Sequence, residues 1–170
     1  KSVGTATTLD DGKTIEIPWK VTLTIPKSGM KSGTIIKDDP TGGASHYMTY
    51  DQIVNWAKNI YWADENGKRL SNVNLDSSLA NIKFKASDDN TYDYSSIVAD
   101  KNKFQDFAFT TWNIELNSNL KSPENAKQLI FEYETTADTS SAGIGTTSYK
   151  NSIESGGKSA NAQYDYKKAA

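Results

Sequence analysis

Hydrophobic and polar residues alternate along most of this chain, and the alternation predicts strands. From Ile15 to Pro26 every odd position is apolar and every even one is polar or proline, the pattern of a half-buried strand. Pro18 falls on the outer phase, which suits an edge or a strand start, and Asp10-Asp11-Gly12 reads as a turn leading in. Thr34-Ile35-Ile36 reads as a second strand, ended by Asp39-Pro40-Thr41-Gly42-Gly43. The same period recurs at Ile82, Phe84 and Ala86, at Trp112, Ile114 and Leu116, and at Leu129, Phe131 and Tyr133. Tyr149 to Ile153 and Ala160 to Tyr166 read as a closing pair of strands joined through Ser155-Gly156-Gly157. Thr135 to Thr147, rich in Ser, Thr, Gly and Ala, reads as a loop.

The period changes once. Thr49 and Gln52 form a capping box, Met48 and Ile53 can staple the entry, and Ile53, Trp56, Ala57 and Ile60 follow at helical spacing. These predict one short helix over about Tyr50 to Lys58. Asn66-Gly67 predicts a tight hairpin between Ile60-Tyr61-Trp62 and Arg69-Leu70. Ser122-Pro123-Glu124 reads as a capped single helical turn. Many short strands with one helical excursion predict an all-β sandwich, with residues 1–170 forming a single domain excised from something longer.

Composition narrows the partners. Residues that are 36% hydrophobic and 24% charged suit a globular domain, and no apolar run approaches the roughly 20 residues that span a bilayer. The formal charge is −2, the lysines are scattered, and Arg69 is the only arginine, so nucleic acid is not an expected partner. One histidine and no cysteine argue against zinc. The acidic turns Asp64-Glu65-Asn66-Gly67 and Asp88-Asp89-Asn90 lack the length of a calcium loop and read as solvated. No metal or cofactor is expected. His46, in a Gly-rich stretch, reads as part of a surface turn, and no serine has the glycine pattern of a nucleophile elbow.

The phase of three polar residues stands out. Lys1 shares its strand face with Val3, Asp38 with Ile36, and Asn151 with Tyr149 and Ile153. An amine, a carboxyl group and a carboxamide are thereby aimed at one core, where polar groups are costly unless they satisfy one another. Burial favours the neutral amine, which is the nucleophilic form, and a protonated carboxyl group that can polarise a carboxamide carbonyl. A spontaneous amide bond between Lys1 and Asn151, assisted by Asp38, is the chemistry this set allows. Their rivals fall on solvent phases: Lys20 with Glu16 and Thr22, Asn161 with Gln163 and Asp165, and Glu132 and Glu134 in alternation with Phe131 and Tyr133. Asp39 has the opposite parity to Asp38, although a strand ending at Ile36 could let either turn inward; Asp38 is the better candidate.

Lys1-Ser2-Val3-Gly4, Trp19 to Pro26, Ile36-Lys37-Asp38 and Tyr149-Lys150-Asn151-Ser152-Ile153 stand in an order that resembles the collagen-adhesin A-type (CnaA-like) domains of Gram-positive pilins and surface adhesins. The resemblance implies an immunoglobulin-like sandwich with an isopeptide bond between a first-strand lysine and a last-strand asparagine. It also implies a structural or adhesive role outside the cell, attached to the cell wall, with neighbouring domains or pilin subunits of the same fibre as partners. The domain would not be an enzyme, because the cross-link forms once per molecule. An alternative is a module that binds host glycan or matrix protein through aromatics of the 47–70 excursion. Trp19, Trp56 and Trp112 lie on apolar phases, which leaves Tyr61 and Trp62 as the candidate exposed rings.

Overall fold

A computed structural model describes residues 2–4, 6–8 and 12–170. Lys1 and the Asp10-Asp11 pair therefore lie outside the described residues. The chain opens with β1 (Ser2–Val3), β2 (Thr7–Thr8), β3 (Thr14–Thr24), β4 (Gly29–Met30) and β5 (Ile35–Asp39), followed by helix α1 (Tyr50–Lys58). Next come β6 (Ile60–Ala63), β7 (Arg69–Asn72), β8 (Ala80–Ala86), β9 (Thr91–Asp93), α2 (Tyr94–Ala99) and α3 (Lys101–Phe104). The remainder is β10 (Phe109–Leu116), β11 (Leu120–Lys121), β12 (Gln128–Asp138), β13 (Gly145–Ser155) and β14 (Lys158–Lys168).

The strands form an all-β, immunoglobulin-like sandwich of two antiparallel sheets with a helical insertion. One sheet has the order β1-β3-β12-β6-β7, with β2 also on β3; the other is β14-β13-β5-β10-β8-β9. β4 and β11 form a separate two-stranded clip. Alternation works as expected in β3, where Ile15, Ile17, Trp19 and Val21 are buried between outward Glu16, Pro18 and Lys20. Pro18 is tolerated because its carbonyl accepts from Gly4 N–H on the side where β1 and β2 are interrupted, so no ladder donor is needed there.

Helix α1 begins with the full capping box between Thr49 and Gln52. It sends Trp56 into the core between the sheets, against Phe84, Trp112 and Phe131. Among the described residues, no helix is long and apolar enough to cross a membrane.

Four local expectations need correction. α1 is not the only helix: α2 buries Ile97, and α3, capped by Asp100 accepting from Lys103 N–H, buries Phe104. Ser122-Pro123-Glu124 does not form a helical turn: a β-turn over Pro123–Ala126 is closed by Ala126 N–H on the Pro123 carbonyl, and left-handed Asn125 (φ 69°) stops helical propagation. The expected loop over 135–147 shrinks, since β12 continues to Asp138 and β13 starts at Gly145. Thr135, Thr136 and Ala137 are buried there, and β-branched threonine suits a strand whatever the local composition suggests. His46, lastly, is buried.

Candidate functional site

The site is built across the sandwich. On β5, Asp38 faces inward, flanked by Trp112 of β10 on one side and Ile153 of β13 on the other. Asn151 lies two residues from Ile153 on the same face, the diagonal neighbour that long side chains can reach. Both Asp38 and Asn151 are only 2% exposed. The opposite sheet contributes Tyr133 of β12, which stands in register with Trp19 of β3.

Tyr133 joins the other two. Its hydroxyl donates to Asp38 Oδ1 at 2.6 Å and accepts from Asn151 Nδ2 at 2.9 Å. Asp38 thus accepts from the phenol and does not donate to the Asn151 carbonyl oxygen, contrary to the expected polarising contact. Burial first, and then the charge and hydrogen bond of Asp38, push the Tyr133 phenol well above its ordinary value, so it remains a donor. Trp112 packs edge-on against the Tyr133 ring. Asn151 Oδ1 is buried and has no hydrogen-bond partner among the described residues. A buried carboxamide oxygen without a donor is expensive to maintain.

Two of the three residues expected to react, Asp38 and Asn151, thus meet in one cluster, and Lys1 falls outside the described residues. The strand that follows it is placed: Ser2 pairs with Lys20 and Val3 with Trp19. Val3, Trp19 and Tyr133 therefore occupy one row across β1, β3 and β12. The rival residues stay away from the cluster: Asp39, Asn161, Glu132 and Glu134 are exposed, and Lys20 lies on the outer phase. Tyr133 was not singled out in the sequence, because a tyrosine sharing a phase with Phe131 reads as ordinary core.

A second buried polar cluster lies one inner position further along β12. His46 is 2% exposed, with Nε2 at 2.7 Å from the Lys150 carbonyl and Nδ1 at 2.8 Å from Thr135 Oγ1. A carbonyl only accepts, so Nε2 carries the hydrogen; in the neutral ring Nδ1 then accepts from the Thr135 hydroxyl. Thr135 Oγ1 in turn accepts from Trp19 Nε1–H at 2.8 Å.

The aromatic pair of the excursion is not exposed. Tyr61 and Trp62 are 5% and 4% exposed, because β6 is an interior strand held between β12 and β7. Trp62 joins the main core, and Tyr61 packs with Ala63 and Ile130 beneath the Arg69 guanidinium, 4.1 Å from its ring centre. At the acidic turns, Asp64 accepts from the Asn66 and Lys68 N–H groups and Asp88 from Asn90 N–H. Among the described residues there is no group of three or more His, Cys, Asp or Glu side chains able to hold a metal ion.

The fold and the cluster together define an immunoglobulin-like sandwich with an acid, a phenol and a carboxamide hydrogen-bonded between its sheets. No known family model and no curated protein matches the chain. Among solved structures it is similar to the collagen-binding domain from a Staphylococcus aureus adhesin, at 15% sequence identity, with 95% of this chain and 92% of that chain covered and a TM-score of 0.31. So loose a superposition leaves the function to be argued from the chain's own residues.

Proposed function

We propose that this chain is a structural and adhesive domain of a bacterial cell-surface pilin or adhesin, closed by a spontaneous isopeptide bond between Lys1 and Asn151 with Asp38 assisting. The observation that supports it best is the cluster itself. A carboxyl group and a carboxamide from neighbouring strands are buried side by side, and the carboxamide oxygen has no donor among the described residues. β1, which follows Lys1 directly, runs in the same row as Tyr133.

The chemistry balances without a cofactor. The neutral Lys1 amine attacks Asn151 Cγ, the new C–N bond forms, and the carbonyl electron pair moves onto Oδ1. One proton leaves the attacking nitrogen by way of Asp38, and one is delivered to Nδ2. The Cγ–Nδ2 bond then breaks, ammonia departs and the carbonyl re-forms. The protein's main contribution is to hold the partners together in a dry site. The event occurs once per chain, so the domain does not turn over substrate.

The bond would tie the first strand to the strand next to the last, so pulling on the chain would load a covalent link and not peel strands apart. That suits a stalk or presenting domain outside the cell, attached to the cell wall, with neighbouring domains or pilin subunits of the same fibre as partners. The second reading, a module for host glycan or matrix protein, depended on exposed Tyr61 and Trp62, and burial of both rings removes its support.

Intact mass is the test. The purified chain is expected to weigh roughly 17 Da, one ammonia, less than its sequence requires. A full calculated mass would overturn the reading.

A further inference from the structure

Tyr133 occupies a position that a purely apolar core would give to phenylalanine, and its hydroxyl is the one described group that touches both Asp38 and the nitrogen of Asn151. We propose that Tyr133 is a catalytic residue of cross-link formation, a relay that carries the proton from Asp38 to the departing Asn151 nitrogen. This rests on the amide-forming reading above and adds to it a fourth participant with a defined role.

The need for a relay follows from the geometry. The reaction must move one proton from the lysine nitrogen to Nδ2, yet Nδ2 is hydrogen-bonded to the phenol oxygen, and the phenol in turn to Asp38 Oδ1. A phenol has one hydrogen and two acceptor lone pairs. Before reaction it donates to Asp38 and accepts from Nδ2. Once Asp38 has taken the lysine proton, the polarity of both bonds can reverse. Asp38 then donates to the phenol oxygen, and the phenol hydrogen swings to Nδ2, which has gained a lone pair in the tetrahedral intermediate. Only hydrogens move, and the heavy atoms are already at bonding distance. The Cγ–Nδ2 bond breaks as Nδ2 becomes ammonia, and Asp38 returns to its starting state. The phenol stays neutral throughout, in keeping with the burial and nearby charge that disfavour phenolate.

Tyr133→Phe removes the hydroxyl and keeps the ring packed against Trp112. Parent and variant are induced in a short pulse, quenched in acid at intervals and weighed as intact chains. We expect folded Tyr133→Phe chains to close at least about 100-fold more slowly than the parent, in line with loss of one general acid–base group. Closure of Tyr133→Phe at the parental rate would overturn the relay while leaving the amide-forming reading intact. Full mass in the parent itself would overturn both. Replacement of Tyr133 by 3-fluorotyrosine keeps the fold and the hydrogen bonds with a more acidic phenol, and it decides the matter even where Tyr133→Phe does not fold. A relay requires the rate of closure at a fixed pH to change with that substitution, because the proton passes through the phenol. A group that merely fills space would leave the rate where it was, which would also overturn the proposal.

Discussion

Two polar clusters are buried in this sandwich, one residue pair apart on the same face of β12, and they differ in how completely they are satisfied. Around Thr135, the Trp19 indole N–H, the threonine hydroxyl and both nitrogens of His46 all have hydrogen-bond partners, ending on the Lys150 carbonyl. Around Tyr133, the phenol is satisfied in both directions, but Asn151 Oδ1 has no donor among the described residues. A closed network rigidifies a core, whereas an open one leaves a buried group whose cost must be offset by something else. The first cluster is a brace between the sheets. The second is open, with a carboxamide oxygen left without a donor among the described residues beside a carboxyl group and a phenol.

The largest effect is expected from breaking the open cluster. Asp38→Ala should restore the full mass and lower the melting temperature while leaving the fold intact. A cross-link closing a loop of about 150 residues contributes roughly 5 kcal/mol in the chain-entropy account. For a domain of this size that corresponds to roughly 10–20 °C in Tm. Scanning calorimetry of parent and variant checks it, and equal melting temperatures would remove the reason to treat this cluster as chemical.

A smaller loss, of a different kind, is expected from the closed cluster. His46→Ala leaves the Lys150 carbonyl without its donor and opens a cavity between the Trp19 and Tyr149 rings. The cost should be about 3 kcal/mol, or roughly 6–12 °C. Its mass deficit should equal that of the parent. Folded His46→Ala chains of full mass would mean that the two clusters act as one, and the contrast would fail.

The sequence revealed these clusters unequally. Asp38 and Asn151 were readable because alternation puts them on the same phase as Ile36 and Tyr149, and a polar residue on an apolar phase is conspicuous. Helix α1 was readable to the residue, since Thr49 and Gln52 carry a local cap that needs no tertiary contact. Tyr133 was invisible as a site: its ring belongs on an apolar phase, and its hydroxyl gains meaning only when the second sheet faces it. His46 gave no local signal either, because its partners are Thr135 and Lys150, 89 and 104 residues away. The Ser/Thr-rich composition after Tyr133 concealed a strand, since only pairing with β3 distinguishes a threonine in a ladder from one in a loop. Trp62 was misjudged for the same reason, because the hairpin it sits in is covered on both sides only once β12 pairs with β6.

The smallest effect lies on the outer face of β12 and tests whether the contrast belongs to the interior. Glu134 is exposed, yet partial burial first, and then the charge and hydrogen bond of Glu16, raise its carboxyl above the ordinary 4.5. A carboxyl group raised in the folded state binds its proton more tightly there than in the unfolded chain. Its contribution is therefore fully favourable below the ordinary value and is lost as pH rises through the folded one. Once ionised, Glu134 meets the charge repulsion that raises it, at a site exposed enough to be screened. Glu134→Gln removes that repulsion and should stabilise the chain at pH 7 by at most about 1 kcal/mol, or roughly 2–4 °C. At pH 3, where the parent carboxyl is already protonated, the gain should vanish. The intact mass, apart from the substitution itself, should be unchanged at both. Thermal melts of the two chains at the two pH values decide it: a gain that persists at pH 3, or a change in mass, would mean that the outer carboxylates are coupled to the buried acid. The open cluster could then no longer be treated as a site sealed within the core.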